Sequence, residues 1–260
     1  MERIKSIYRD PVEGTKKLFI TIFSVVFFFV SWLVANVPIG EQATWVSALF
    51  IVAIALPSYF FLYRWTTPIR AILIITLFSI FPIIIEAIGI ITGFPYGPFE
   101  YTDQMGFKIL DLVPWSVSFA FAPLVLGSIT IANKLSKKAV LAIPLSALLL
   151  VIVDLILDPA AVVLNIWVWG EPGPYYGIPL SNYAGWFLTA LIASVMMHLL
   201  VAENIWISED INADVSSSLL VSIAFWTGFS FWTGLWIPVL IGIGMIILLG
   251  YYIIFHISKI

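Results

Sequence analysis

The sequence predicts an all-α membrane protein, a polytopic bundle of about eight transmembrane helices forming one integral membrane domain over residues 1–260. Hydrophobic residues make up 62% of the chain and charged residues only 10%, with a mean hydropathy of +1.08. A soluble domain of this size needs far more charge to cover its surface. In addition, apolar segments of about 20 residues, the length that crosses a bilayer, recur along the chain.

Six of these segments each have the length of one span: Lys17–Asn36, Ala43–Tyr63, Ile69–Ile91, Val113–Asn133, Ala139–Leu157 and Asn182–Val201. The stretch from Ser216 to Ile257 is about twice as long as one span requires, so we divide it near Leu235–Pro238 into two helices. Because no charged residue marks this division, seven spans with one long or re-entrant segment stay an alternative.

The distribution of basic residues predicts the orientation. With eight spans, Lys108 alone of the twelve Lys and Arg residues falls on one side. The other eleven are Arg3, Lys5, Arg9, Lys16, Lys17, Arg64, Arg70, Lys134, Lys137, Lys138 and Lys259. Basic residues concentrate in cytoplasmic segments. We therefore expect a multi-pass protein of the cell membrane with a cytoplasmic N-terminus; with seven spans, Lys259 changes sides.

Two connections on the predicted outer side differ from the rest. The segments Thr92–Leu112 and Asp158–Ser181 are longer than the usual link between helices. Both are rich in Gly, Pro, Tyr and Trp, which suit defined turns. They are predicted to form two ordered aromatic loops.

Three carboxyl groups lie inside predicted spans, where charged groups are costly and need a reason. Glu86 is about a turn and a half from the outer end of the third span. Asp154 and Asp158 are four residues apart, so they share one face of the fifth helix, which we expect to end at Pro159. The three acids either bond neighbouring helices and cap their ends, or border one polar pocket beneath the loops. A carboxyl removed from water favours its uncharged form, which can donate a proton.

Aromatic residues accompany the acids. Trp115, Trp169 and Trp186 lie in or beside the two loops. They fit the ordinary interfacial belt of a membrane protein, or a wall of ring faces able to stabilise a cation. Three further residues near the end of the seventh helix fit either the belt or the wall, and we favour the belt: Trp226, Trp232 and Trp236.

Several classes of function are excluded by what the sequence lacks. There is no cysteine, hence no disulfide, thiolate nucleophile or iron–sulfur ligand. No span carries a central lysine for a retinal Schiff base, and no paired Asp-rich motif binds a magnesium diphosphate. There is no phosphate-binding glycine loop and no Gly-x-Ser-x-Gly motif. A net charge of −3 gives no basis for nucleic-acid binding. Acids, tyrosines, an asparagine and tryptophans remain; they suit proton chemistry on an apolar molecule without cofactor or metal.

The loop motifs are similar to those of a known family. The first loop contains Thr92-Gly93-Phe94-Pro95-Tyr96-Gly97, Glu100-Tyr101-Thr102-Asp103 and Val113-Pro114-Trp115. The second region contains Asp154 to Pro159, Trp167-Val168-Trp169 and Tyr175 to Trp186. Together they resemble the carotenoid biosynthesis membrane family of the CruF type over residues 82–186, whereas the chain ends match only in hydropathy. One departure is Phe99, where the family pattern has a tyrosine.

The resemblance implies a cofactor-free lyase, because members of the family are carotenoid hydratases. They add water across the terminal 1,2 double bond of a linear carotenoid ψ-end, and the archaeal branch forms bacterioruberin from its bisanhydro precursor. The implied partners are therefore the bilayer and a linear carotenoid of the lycopene or bacterioruberin type. Other enzymes of carotenoid biosynthesis are candidate partners.

The residues then receive expected roles. Asp154 or Glu86 is expected to protonate the alkene, and Asp158 to help place water. Orienting roles go to four further polar residues: Tyr96, Tyr101, Tyr176 and Asn182. Trp115, Trp169 and Trp186 are expected to face the cation. A lycopene-cyclase-like enzyme, which starts with the same protonation, stays open, as do a proton-coupled transporter that uses the acids as a relay and a non-catalytic carotenoid-binding protein.

Overall fold

A computed structural model describes residues 11–37, 44–201 and 212–255. In these ranges eight helical segments are long and apolar enough to cross a membrane, which confirms the all-α prediction and eight spans rather than seven. The helices are α1 Pro11–Asn36, α2 Thr44–Trp65, α3 Pro68–Thr92, α4 Val117–Leu135, α5 Ala139–Val163, α6 Leu180–Val201, α7 Ser217–Thr233 and α8 Trp236–Gly250. A 3₁₀ turn, Ala213–Ser216, leads into α7, and a π-helical turn, Tyr251–Phe255, follows α8.

The division between α7 and α8 lies at Gly234. This residue has φ +76°, in the left-handed region that glycine adopts without steric cost. The amide of Leu235 donates to the carbonyl of Ser230 at 2.8 Å, so the last turn of α7 is closed before α8 begins. A glycine cap therefore separates the two spans where no charge does, and the predicted division near Leu235–Pro238 is confirmed.

The interior of the bundle is formed by α4 and α7, whose side chains are buried almost throughout. Helix α1 packs along α7, α5 lies between α4 and α6, and α3 packs against α4. The outer helices turn large apolar side chains outward, among them Phe19, Ile72 and Leu240. Such an exposed apolar surface suits a protein whose solvent is lipid.

The predicted end of α5 at Pro159 is wrong, because the helix continues through this residue to Val163. Proline lacks the N–H that would bond the carbonyl of Leu155. The phenol of Tyr175, in the following loop, donates to that carbonyl at 2.9 Å. A transmembrane helix tolerates proline when another donor satisfies the freed carbonyl. The second loop is therefore shorter than predicted and is bonded to the turn that carries Asp158.

The two aromatic loops pair with each other at one end of the bundle. Strand β1, Phe99–Tyr101, lies antiparallel to β4, Trp167–Trp169, so that Phe99 faces Trp169 and Tyr101 faces Trp167. Alternate residues of a strand point to opposite faces, and accordingly Glu100 and Val168 are exposed whereas Tyr101 is buried. The paired strands therefore cover the helix ends beneath them.

The first loop contains further structure between β1 and α4. A 3₁₀ turn, Asp103–Met105, is followed by the hairpin of β2, Lys108–Ile109, and β3, Val113–Pro114. Because Val113 and Pro114 belong to this hairpin, α4 begins at Val117 rather than at the predicted Val113. Which side of the membrane the loops face stays a prediction, and four of the basic residues behind it, Arg3, Lys5, Arg9 and Lys259, lie outside the described residues.

Candidate active site

The three predicted acids lie beneath the paired loops and are almost completely buried. Glu86, Asp154 and Asp158 are 4%, 3% and 1% exposed. At 1.5 Å of rise per residue, Glu86 lies about 9 Å below the end of α3 and Asp154 about 13 Å below the end of α5. Burial of a carboxyl in a membrane protein is tolerated only where polar partners surround it.

Asn182, in the first turn of α6, joins the two aspartates. Its Nδ2 donates to Oδ2 of Asp154 at 2.9 Å and to Oδ2 of Asp158 at 2.5 Å. The two carboxyl groups, one helical turn apart, also contact each other directly. One amide therefore uses both N–H donors on the pair and fixes α6 against α5 at this depth.

Tyr101 brings the first loop to Glu86. Its phenol donates to Oε2 of Glu86 at 2.5 Å. Burial, followed by the proximity of Glu86, raises the pKa of Tyr101 well above its usual value, so the phenol keeps its proton as a donor. Lys108 Nζ donates to the carbonyl of Tyr101 at 2.7 Å and pairs with Asp103 at 2.9 Å, which holds β1 in place.

Tyr96 reaches the site because two glycines make room for its ring. A Cβ atom on Gly89 of α3 would lie 2.8 Å from one edge of the ring, and a Cβ on Gly185 of α6 would lie 2.7 Å from the other. The phenol shares a hydrogen bond of 2.9 Å with Thr189 Oγ1, and Ser181 Oγ donates to the Tyr96 carbonyl at 2.9 Å. The first loop is thereby held between α3 and α6.

A small polar cavity lies directly under the loops. Its volume is about 20 Å³, which is enough for about one water molecule. Its polar wall comprises Glu86, Tyr96, Tyr101, Asp158 and Asn182. Rings of both strands and of α6 complete it: Phe99, Trp167, Trp169 and Trp186.

A second, much larger cavity shares part of its lining with the small one, namely Glu86, Tyr101, Trp167 and Trp186. It measures about 600 Å³, within the roughly 300 to 1,000 Å³ of ligand pockets. Along α5 it extends from Leu150 to Val163, or about 20 Å. Its walls, from α1, α2, α4, α5 and α7, are mainly apolar, and Glu86 and Asp154 are the carboxyl groups that border it.

The acids are thus distributed between the two cavities. Asp158 borders the small polar cavity, Asp154 borders the large apolar one, and Glu86 borders both. The rings of Trp167 and Trp186 also border both cavities. A water in one cavity and an apolar molecule in the other would meet at this partition.

Two predicted residues do not border the cavities, so the structure does not bring them together with the others. Trp115 precedes α4 and packs edge-on against Phe119, with ring centroids 5.7 Å apart, and it borders neither cavity. Tyr176 is 36% exposed at a turn where it and Gly177 have positive φ, so its side chain stays at the surface of the loop. The other eight predicted residues border at least one cavity.

Two further tryptophans, to which the sequence analysis gave no role in the site, border the cavities. Trp167 borders both cavities, and its indole N–H is buried without a hydrogen-bond partner among the described residues. The alternation Trp167-Val168-Trp169 was the available signal, because a strand with Trp169 facing inward must also turn Trp167 inward. Trp226 borders the large cavity, which corrects its assignment to the belt, whereas Trp236 is 61% exposed.

Fold and site define a polytopic membrane protein in which buried carboxyl groups border both a small polar cavity and a long apolar cavity. The chain belongs to the carotenoid biosynthesis protein family, whose model matches residues 42–249. The family predicted from the two loop motifs is thereby confirmed.

A characterised relative extends the comparison. The chain is 34% identical over 132 residues to the bisanhydrobacterioruberin hydratase of Haloarcula japonica. The match covers 49% of this chain and 44% of the relative, so the chain spans less than half of that protein's length. No solved structure matches the chain.

Proposed function

We propose that this protein is a cofactor-free carotenoid hydratase of the cell membrane. It would add water to the terminal C1=C2 double bond of a linear carotenoid ψ-end and give a tertiary alcohol. The observation that carries the proposal is the position of Glu86, which borders both a polar cavity large enough for about one water and a long apolar cavity. The hydratase activity of the Haloarcula japonica relative supports it.

Asp154 is the proposed acid, because its carboxyl borders the apolar cavity in which the alkene would lie. Transfer of its proton to C2, the less substituted carbon, leaves a tertiary cation at C1. The faces of Trp167 and Trp186 border the same space, and ring faces attract a nearby cation. This step accounts for the position of the new hydroxyl, since C1 forms the more stable cation.

Asp158 is the proposed base. It borders the polar cavity together with Asn182, so a water there lies against a carboxyl oxygen. Attack of this water on C1 forms the C–O bond, and its surplus proton passes to Asp158. Because Asp158 contacts Asp154, the proton can return to the acid. One water is consumed and no net proton, so the site is ready for the next turnover.

Glu86 and Tyr101 are proposed to orient the water rather than to transfer the proton. The hydrogen bond between them occupies one oxygen of the carboxyl and leaves the other to accept. General acid catalysis contributes about 100- to 10,000-fold to such a reaction. The fixed dipoles of Asn182, Tyr101 and Tyr96 around the cavity would supply much of the rest.

A cyclase would generate the same cation but exclude water, so that a neighbouring alkene captures it. The polar cavity beside the aspartates favours water as the nucleophile. In transporters, broken helices lie near the midplane in both halves. The strands and turns between α3 and α4 and between α5 and α6 lie instead at one end of this bundle.

The test is expression in two hosts, one that makes lycopene and one that makes bisanhydrobacterioruberin. Mass spectrometry of the extracted carotenoids is expected to show the gain of one or two waters in at least one host. The matched control is the Asp154→Asn variant, which should show no gain. Cyclic hydrocarbons in place of hydroxylated chains, or unchanged carotenoids in both hosts, would overturn the proposal.

A further inference from the structure

The large cavity reaches the surface of the protein where α1 ends and α2 begins. Three residues that border it are also well exposed: Leu33 in the last turn of α1 at 50%, Val37 directly after α1 at 51%, and Val46 in the first turn of α2 at 41%. A side chain that borders a cavity and is also exposed marks a rim where the cavity opens. All three are apolar.

The packing of the two helices explains the opening. Helix α1 lies against α7, where a Cβ on Gly228 would lie 2.7 Å from the Phe28 carbonyl. Helix α2 is hydrogen-bonded to the first turn of α7, where the Ser58 amide donates to Ser218 Oγ at 2.9 Å. Each helix is thus held by α7 rather than by the other.

Helices α1 and α2 meet at Phe27 and Phe50, whose ring centroids are 5.0 Å apart. Phe27 lies ten residues before Val37, or about 15 Å further into the membrane. Between this ring pair and the rim, the cavity is bordered by Val30, Val34 and other apolar residues of both helices. The opening therefore lies beside the last turn of α1 and the first turn of α2, and apolar side chains continue from it into the cavity.

The chemistry of the opening selects the kind of molecule that can use it. An apolar rim offers nothing to a water-soluble substrate, whereas a linear polyene dissolved in the bilayer loses no hydration when it passes. A volume of about 600 Å³ suits one drug-sized molecule. With its end group against Asp154, a long rigid polyene must continue out of the cavity.

Building on the hydratase function proposed above, we propose that the gap between α1 and α2 is a lateral portal. The carotenoid end enters from the bilayer between Leu33, Val37 and Val46, and its polyene chain stays in this gap during the reaction.

The absence of cysteine in the chain allows a direct test. Val37→Cys and Val46→Cys are each coupled to a bulky maleimide in membranes. Asn36→Cys and Trp45→Cys are the matched controls, since each is an exposed neighbour at the same depth that does not border the cavity. Labels at Val37 and Val46 are expected to lower the hydration rate at least tenfold, and labels at the controls to leave it near the unlabelled rate.

Val46→Trp, with Trp45→Phe as its control, repeats the test without a label in case a labelled protein is unstable. The portal is refuted if the unlabelled protein hydrates carotenoid and every blocked variant reacts as fast as its control. Failure of the unlabelled protein to hydrate any carotenoid would instead refute the underlying function. Equal inhibition by all four labels would also refute the portal, because it would show no dependence on the cavity-facing positions.

Discussion

The substitution Asp154→Asn tests the proposed acid with little change in shape. In the native site, Oδ2 of Asp154 accepts from Asn182 at 2.9 Å. The carbonyl oxygen of the new amide can accept the same hydrogen bond, so the fold should be retained. The variant loses only the ability to give a proton to a molecule in the large cavity.

The size of the expected effect follows from that difference. Loss of general acid catalysis lowers the rate by about 100- to 10,000-fold, or about 2.7 to 5.5 kcal/mol of barrier. Asp158→Asn changes the group proposed to hold and deprotonate the water, a step that follows the protonation of the alkene and the formation of the cation. Its loss should resemble that of a buried hydrogen bond, about 1 to 3 kcal/mol, or roughly 5- to 150-fold.

The assay is the initial rate of hydrated carotenoid formation in membranes that contain equal amounts of each protein. Ser146→Ala is the matched control, because Ser146 is buried on the same helix and bonds Ser194 at 2.5 Å but borders neither cavity. It should lose some thermal stability and keep its rate. A near-native rate for Asp154→Asn, or a lower rate for Asp158→Asn than for Asp154→Asn, would refute the assigned roles.

The remaining predictions concern the groups around the acids. Tyr101→Phe removes the donor to Glu86 and should lower the rate by roughly 5- to 150-fold, measured as above, whereas an unchanged rate would exclude an orienting role. Trp167→Phe keeps a ring but removes the indole, the ring that attracts a cation best; a slower rate with unchanged carotenoid binding is expected, and a loss of binding alone would contradict the proposed stabilisation of the cation. Gly185→Ala places a Cβ 2.7 Å from the ring of Tyr96. It should lower the free energy of unfolding by about 1 to 3 kcal/mol and with it the melting temperature. An unchanged melting temperature would contradict this packing.

The helices could be predicted from the sequence because each span depends on local hydropathy. Even the boundary between α7 and α8 had a local signal, the glycine at position 234. The end of α5 was predicted wrongly because the effect of Pro159 depends on a group in the following loop. Without Tyr175 to bond the Leu155 carbonyl, a helix end would have been the reasonable expectation.

The candidate site was predictable in its residue types and less so in its geometry. The cost of a carboxyl in a membrane identified all three acids, and the four-residue spacing placed Asp154 and Asp158 together. The pairing of β1 with β4 was not predictable, since it joins Tyr101 to Trp167 across two helices. That pairing decides which aromatic residues face the cavities, and it explains why the sequence gave a role to Trp115 and none to Trp167.

A hydration in a membrane must bring together two reactants of opposite solubility. Carboxyl groups at the midplane would meet the polyene readily, but water would be scarce there; at the surface the reverse would hold. The carboxyl groups lie beneath the paired loops, about 9 to 13 Å from the helix ends. Asp158 borders the polar cavity, whereas the apolar cavity extends to exposed side chains where α1 ends and α2 begins, at the proposed portal. Because Glu86 borders both, each reactant can approach from the phase in which it is soluble. This division also limits the water to about one molecule, so the cation would be captured once and at the carbon that faces the partition.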